Sequence, residues 1–246
     1  MDCKKRIVFC SHCSDEKRIF FGADKLIASI KYFHPEIPFI MMGNKEIEEE
    51  IKKDPTLNFC TLNPTMSIRL AKDYDIVVHF AADSMLVDRL DELINGDYDI
   101  ASVRNNDDSN NGVSERYLNI PVYLNAGLVA STKIDFWEEW IERNKNEAKN
   151  FKWQEQDIMN QIFYSGKYNT KLLDPVEENL HYGFSSPFYT WRNLKIKNDH
   201  LYLNNKKVKI LHHAAGGDSP RLQFEKLCDK NTCKWLENIY KEKNNF

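Results

Sequence analysis

Apolar and polar positions along this chain fall into short blocks whose period switches between that of a strand and that of a helix. Arg6 to Ser11 reads as a first strand, and Ala23 to Phe33 then places Leu26, Ile27, Ile30 and Phe33 on one helical face. His34-Pro35 ends that helix, because the residue before a proline is pushed out of the α region. Phe39-Ile-Met-Met42 has the form of a second buried strand, closed by Gly43-Asn44. Lys45 to Lys53 reads as a charged helix, Asn58 to Leu62 as a third strand, and Met66 to Lys72 as a helix leading into Ile76-Val-Val. That run, ending at Phe80, is what a strand buried on both faces of a parallel sheet requires. Beyond it Leu86, Val87, Leu90, Leu93 and Ile94 recur at helical spacing, and Asp99 to Val103 is strand-like again.

A polar loop from Arg104 to Glu115 follows, too rich in Asn, Asp and Ser to pack, and its length suits either a substrate lid or disorder. Val122 to Ala130 is an apolar strand interrupted by Asn125-Ala126-Gly127. Phe136, Trp137, Trp140 and Ile141 mark the inner face of one helix, and Ile158, Ile162 and Phe163 that of another running from Trp153. The aromatics Trp137, Trp140 and Trp153 read as core. Leu194 to Val208 alternates and turns at Asn204-Asn205, as an antiparallel hairpin or meander does. An amphipathic tail helix carries Phe224, Leu227, Trp235, Leu236 and Ile239. The expected class is α/β: a mixed, mostly parallel central sheet flanked by helices, with a small antiparallel C-terminal hairpin.

Length and charge narrow the functions open to such a fold. The 246 residues suit one domain, residues 1–246, and a net charge of −3 builds no positive field to recruit nucleic acid or an anionic membrane. No apolar run approaches the ~20 residues that span a bilayer. Cys10-x2-Cys13 and Cys228-x4-Cys233 each have half of a zinc-site spacing, but they stand at opposite ends of the chain. Free thiols in a reducing cytoplasm are the simpler expectation.

Four stretches carry candidate chemistry. Asp83 follows the C-terminal end of the central strand, where open α/β sheets bind ligands; the same position also suits a helix N-cap. Gly127, inside a strand, lets another group approach the backbone closely. Glu155, Gln156 and Asp157 open a helix, where acids are favoured by the helix dipole whatever else they do. Near the C-terminus Gly216-Gly217 precedes Ser219-Pro220, an N-cap serine with proline at the first helical position, and Arg221 stands next to it.

Tyr74-Asp-x5-Ala-Ala-Asp83, Leu124-Asn-Ala-Gly127, Gln154-Glu-Gln-Asp157 and His213-x2-Gly216-x3-Pro220, in that order, resemble the motifs of GT-A-fold glycosyltransferases of the glycogenin and galactosyltransferase type. The match covers residues 5–221. The resemblance implies transfer of a sugar from a nucleotide-diphosphate donor, a UDP-sugar, to a carbohydrate or other hydroxyl acceptor. It implies a nucleotide-binding half at residues 1–105, a donor-sugar and acceptor half at 116–222, and a helical tail at 223–246. It places Asp83 and His213 on a divalent metal, Mn²⁺ or Mg²⁺. Ala81 stands where the family has its first aspartate, and Ser219 where it has a lysine. Donor contacts fall on Ser11, Asp83, Ala126 and Gly127; beside the resemblance, Lys72 either reaches the nucleotide or is a surface charge, and Gly216, Gly217 and Arg221 are either an anion site for the diphosphate or a plain loop before the tail helix. Asn125, Glu155, Gln156 and Asp157 lie around the transferred sugar. Gln156 would face the anomeric carbon in a retaining enzyme, and Asp157 or Glu155 would act as base in an inverting one. A non-catalytic nucleotide-sugar binder of the same fold is the alternative that Ala81 favours. The rings of Tyr182, Phe184, Phe188, Tyr189 and Trp191, read as a loop, are candidates for stacking on an acceptor.

Overall fold

The computed structural model describes residues 5–13, 23–53, 59–94, 96–105, 113–173, 180–184, 194–203, 206–212 and 230–241. Its centre is a six-stranded sheet of order β2-β1-β3-β6-β5-β7. The strands are β1 (Ile7–His12), β2 (Phe39–Met42), β3 (Ile76–Phe80), β5 (Ile100–Arg104), β6 (Leu124–Ser131) and β7 (Thr170–Leu172). β1 pairs in parallel with β2 and β3, and β5 with β7, while β6 runs against both β3 and β5. The mixed, mostly parallel sheet expected from the apolar runs is present.

Alternation along β3 feeds two cores. Ile76, Val78 and Phe80 join Phe9 and residues of α1 (Ala23–Phe33) on one face. Val77 joins Val8, Val129, Trp137, Trp140 and Ile158 on the other, under α3 (Phe59–Ala71), α6 (Ile134–Glu147) and α7 (Glu155–Phe163). Every residue of β3 is buried, as its composition requires. β2 is a different case: it forms the outer strand of the sheet and is only partly covered, where its four apolar residues suggested a buried strand. α2 (Asn44–Lys53) follows it.

Two expected elements are replaced. Asn58 to Leu62, read as a strand, falls in α3, which begins at Phe59 and carries Pro64 in its interior. A short apolar run does not distinguish strand from helix, and the proline hid the continuity. The helix expected directly after Asp83 is instead β4 (Ser84–Leu86), with only α4 (Asp91–Ile94) helical. β4 belongs to a second sheet with β8 (Leu180–Phe184), β9 (Leu194–Lys197), β10 (His200–Leu203) and β11 (Lys206–His212). β9, β10 and β11 form the predicted antiparallel meander; Asn198 and Asp199, both at positive φ, make its first turn. β11 is the centre of this sheet, pairing with β4, β8 and β10. Its apolar face, with Met85, Leu201, Val208 and Leu211, packs against Leu236 and Ile239 of α8 (Lys230–Lys241). α5 (Val113–Leu118) takes up the end of the loop predicted from Arg104 to Glu115. Among the described residues no helix is long and apolar enough to cross a membrane.

Candidate active site

At the end of β3 the chain turns sharply. The Ser84 N–H donates to the Ala81 carbonyl at 3.1 Å, and β4 then leaves the first sheet for the second. The turn holds Asp83 with little exposure. Antiparallel pairing sets Ser84 opposite His212, the last residue of β11, so the imidazole arrives beside the carboxylate. His212 Nε2 lies 3.1 Å from Asp83 Oδ1. A carboxylate oxygen only accepts, so Nε2 carries the proton. The helix-cap alternative for Asp83 falls away, because a strand follows it.

The strand beside this turn is interrupted for a reason. β6 pairs with β5 as Ser102 with Val129 and then Val103 with Asn125, so Ala126 to Leu128 have no partner on β5. This is a β-bulge, which re-aims the local backbone. The Ser102 hydroxyl lies 3.2 Å from the Asn125 carbonyl and 3.0 Å from that of Leu128, bridging the two ends of the bulge. Inside it, the Asn125 side-chain oxygen accepts the Gly127 N–H at 2.7 Å, and the Gly127 carbonyl accepts the Ala81 N–H at 2.7 Å. Gly127 is there for space. A Cβ at this position would lie 2.3 Å from His212 Cε1, 2.6 Å from Asn125 Oδ1 and 2.9 Å from His212 Nδ1.

α7 fixes the third side. Gln156 Oε1 accepts the Ala126 N–H at 3.1 Å, tying the helix start to the bulge. One turn further, Asn160 acts as a piece of strand: its Oδ1 accepts the Leu124 N–H at 2.7 Å and its Nδ2 donates to the Leu124 carbonyl at 3.0 Å. Asp157 is fully buried, with one oxygen accepting the Tyr123 hydroxyl at 2.6 Å and the other the Trp153 N–H at 2.9 Å. Burial and this carboxylate together push the Tyr123 hydroxyl pKa up. Asp157 therefore caps the helix and seats Tyr123; it is enclosed, with no face toward an acceptor. Glu155 is half-buried, and its carbonyl accepts the Trp140 indole N–H at 3.0 Å. Gln154, immediately before the helix, has φ 44 and ψ −112, a conformation that costs a non-glycine residue about 1–3 kcal/mol. This turn swings Trp153 outward: the ring expected in the core is 45% exposed, with Lys152 Nζ 4.8 Å from its centroid.

Asp83, Asn125, Ala126, Gly127 and Gln156 are thus brought together, with Glu155 and Asp157 on the same helix turn. Ser11 is at the same end of the sheet, one strand away on β1, but its hydroxyl is fully buried and has no hydrogen-bond partner among the described residues. Lys72 is not brought to the site. α3 runs back along β3 and delivers Lys72, exposed, at the strand's starting end. Arg69, on the same helix, pairs with Glu50 at 2.7 Å. His213, Gly216, Gly217 and Arg221 lie outside the described residues, as do Phe188, Tyr189, Trp191 and Cys228. Tyr182 and Phe184 belong to β8, not to a loop. Cys10, Cys13 and Cys233 are buried and form no disulfide among the described residues, and burial pushes the Cys10 thiol up to about 12.

Sequence reasoning missed His212, Ser102, Tyr123 and Asn160. His212 and His213 are adjacent, and only the pairing of β11 with β4 shows that His212 reaches Asp83. The donors suit a divalent cation in part: Asp83 and His212 converge within 3.1 Å, but Ala81 has nothing to ligate with. No group of three or more metal-binding side chains occurs among the described residues. An ion held by two side chains takes its remaining positions from water or ligand oxygens.

No protein-family model matches the chain, and no curated protein matches it by sequence. Solved structures do. The chain is similar to the bifunctional glycosyltransferase WbbM in its apo form, with 17% identity and a TM-score of 0.53 over 89% of this chain; it spans 47% of the WbbM chain. It is similar to the galactosyltransferase LgtC in complex with donor and acceptor sugar analogs, with 13% identity, a TM-score of 0.54 and 94% of each chain covered. An active-site mutant of LgtC matches at the same identity and TM-score. The fold is that of GT-A-type glycosyltransferases.

Proposed function

We propose that this chain transfers a sugar from a nucleotide-diphosphate donor, a UDP-sugar, to a carbohydrate or other hydroxyl acceptor. The observation that carries this is the meeting of Asp83, the Asn125–Gly127 bulge, Gln156 and His212 at the C-terminal end of β3 in this fold. Cleaving a sugar from a diphosphate leaves at least two negative charges on the departing group, which the site must neutralise. Asp83 and His212, with the ion displacing the Nε2 proton that joins them, would hold a divalent cation, which when bound supplies that neutralisation. Gly216, Gly217 and Arg221, which lie outside the described residues, are the sequence's candidates for further anion-binding groups.

The remaining residues position the sugar. The side chain of Asn125 and the backbone of Ala126 and Gly127 form the floor, with His212 packed against Gly127 where a Cβ would otherwise stand. Gln156, held against Ala126, faces the sugar beside it. A retaining course leaves proton removal from the acceptor to the departing phosphate. An inverting course needs a base, and Glu155 is better exposed for that than the enclosed Asp157. Trp153, with Tyr117 of α5 also exposed, offers a ring face to an acceptor sugar.

Calorimetric titration with UDP and UDP-glucose, first with Mn²⁺ and then with EDTA, tests the reading. Binding that Asp83→Ala and His212→Ala each abolish, in folded protein, supports it. Full affinity in both variants refutes the site. The second reading, a nucleotide-sugar binder without turnover, is favoured by Ala81. Release of UDP from a bound donor in the presence of acceptor glycans separates the two.

A further inference from the structure

The outer strands of the two sheets are protected unequally. β7 carries Lys171, and β9 carries Lys195 and Lys197, charges that discourage pairing with another chain. β2 is Phe-Ile-Met-Met, without charge or proline, and among the described residues no strand lies beyond it. The Phe9 N–H donates to the Pro38 carbonyl and the Cys13 N–H to that of Met42. By the alternation of a strand, Pro38, Ile40 and Met42 therefore address β1, and Phe39 and Met41 turn their N–H and C=O groups to the open side.

The side chains beside this edge match that openness. Ile40 is 37% exposed on β2, and Ile51 is 38% exposed on α2. Met42, two residues from Ile40 on the same face, belongs to the core that Ile47 of α2 packs against, so Ile40 and α2 share one side of the sheet. On the exposed face of α2, Lys45 stands in the first turn, and Glu48 and Glu49 then lie on one side of the buried Glu50 with Lys52 and Lys53 on the other. Placed antiparallel to itself, such a helix sets acid against base twice.

We infer that two copies of this chain associate across a two-fold axis through the open edge of β2, joining their central sheets. Phe39 pairs with the partner's Met41 in hydrogen-bonded register, and Ile40 faces the partner's Ile40 at the axis. The self-complementary charge of α2 selects a second copy as the occupant: Glu48 lies opposite the partner's Lys52, and Lys52 opposite the partner's Glu48. A two-fold contact is closed, so growth stops at the dimer. The surface lies on the far side of β1 from Asp83 and leaves the site of each copy open.

Sedimentation velocity of the full chain over rising concentration tests this, with circular dichroism to verify folding of each variant. A reversible dimer is expected, and Ile40→Lys, a change at an already exposed position, is expected to return it to monomer. Glu48→Lys and Lys52→Glu alone should each weaken the dimer by about tenfold, from two like-charge contacts per interface. Mixing the two single variants should restore association, because one then presents two lysines and the other two glutamates. A protein that stays monomeric to about 100 µM overturns the inference. So does a dimer indifferent to Ile40→Lys, or two charge variants that fail to rescue each other.

Discussion

Gly127→Ala isolates the contact on which the site's geometry depends. The added carbon would lie 2.3 Å from His212 Cε1, whereas non-bonded carbons rest about 3.5–4.0 Å apart, so the ring must retreat by about 1.2 Å or more. His212 Nε2 and Asp83 Oδ1 are already 3.1 Å apart, and a retreat of that size breaks their hydrogen bond. The same carbon presses on Asn125 Oδ1 at 2.6 Å, the atom that holds the Gly127 N–H. Overpacking of this kind costs about 1–3 kcal/mol, which in a chain of this size lowers the melting temperature by about 2–12 °C. Losing a hydrogen bond to a charged group costs the site a further ~1.5–3 kcal/mol, about a tenfold to hundredfold loss of UDP affinity. Thermal melts and calorimetry of Gly127→Ala, His212→Ala and the double variant close a mutant cycle. With the imidazole gone, most of the cost of the alanine should vanish. If Gly127→Ala costs as much in the His212→Ala background as in the wild type, the close approach of His212 is not what excludes a side chain, and the reasoning fails.

Acid should destabilise the protein through two buried histidines. His34 Nε2 accepts the Leu90 N–H at 2.9 Å, which requires an unprotonated nitrogen, and burial lowers its pKa from the usual 6.5. His79 is fully buried, with no hydrogen-bond partner for either ring nitrogen among the described residues; burial first, and the neighbouring His12 second, hold its pKa well below 6.5. The unfolded chain takes up these protons and the folded one does not, so stability is full above about pH 6.5 and falls as pH drops below it. Urea midpoints at about pH 7.5 and about pH 5.5 should show the loss, and His79→Leu should flatten it without cost at the higher pH. Asn160→Leu strands the buried N–H and C=O of Leu124 and should cost about 2–5 kcal/mol by denaturant titration; a smaller cost than 1 kcal/mol would mean the clamp is dispensable. Gln154→Gly relieves the φ 44, ψ −112 backbone and should stabilise by about 1 kcal/mol in the same assay, whereas destabilisation would show that the side chain outweighs the strain.

Much of this architecture is written in local pattern. Ile76 to Phe80 is apolar at every position except His79, so it had to be a strand covered on both faces, and Asp83 had to follow it at the sheet's C-terminal end. The 3.6-residue periods of Ala23 to Phe33 and of Phe136 to Trp140 likewise determined helices and their inner faces. Phe59 to Leu62 and Ser84 to Leu86 went the other way, because a few apolar residues satisfy either period and their partners decide. Asn125-Ala-Gly127 announced a broken strand, but the purpose of the glycine became visible only with His212 against it. His212 and Asp83 are 129 residues apart in the chain, joined through the pairing of β11 with β4. Asp157 and Gln156 are neighbours of similar character in the sequence, yet packing encloses one and turns the other to the bulge. Local composition determined which segments are buried, since burial is a property of each residue's own surface; which side chains meet was decided by strand register, which no short stretch of sequence contains.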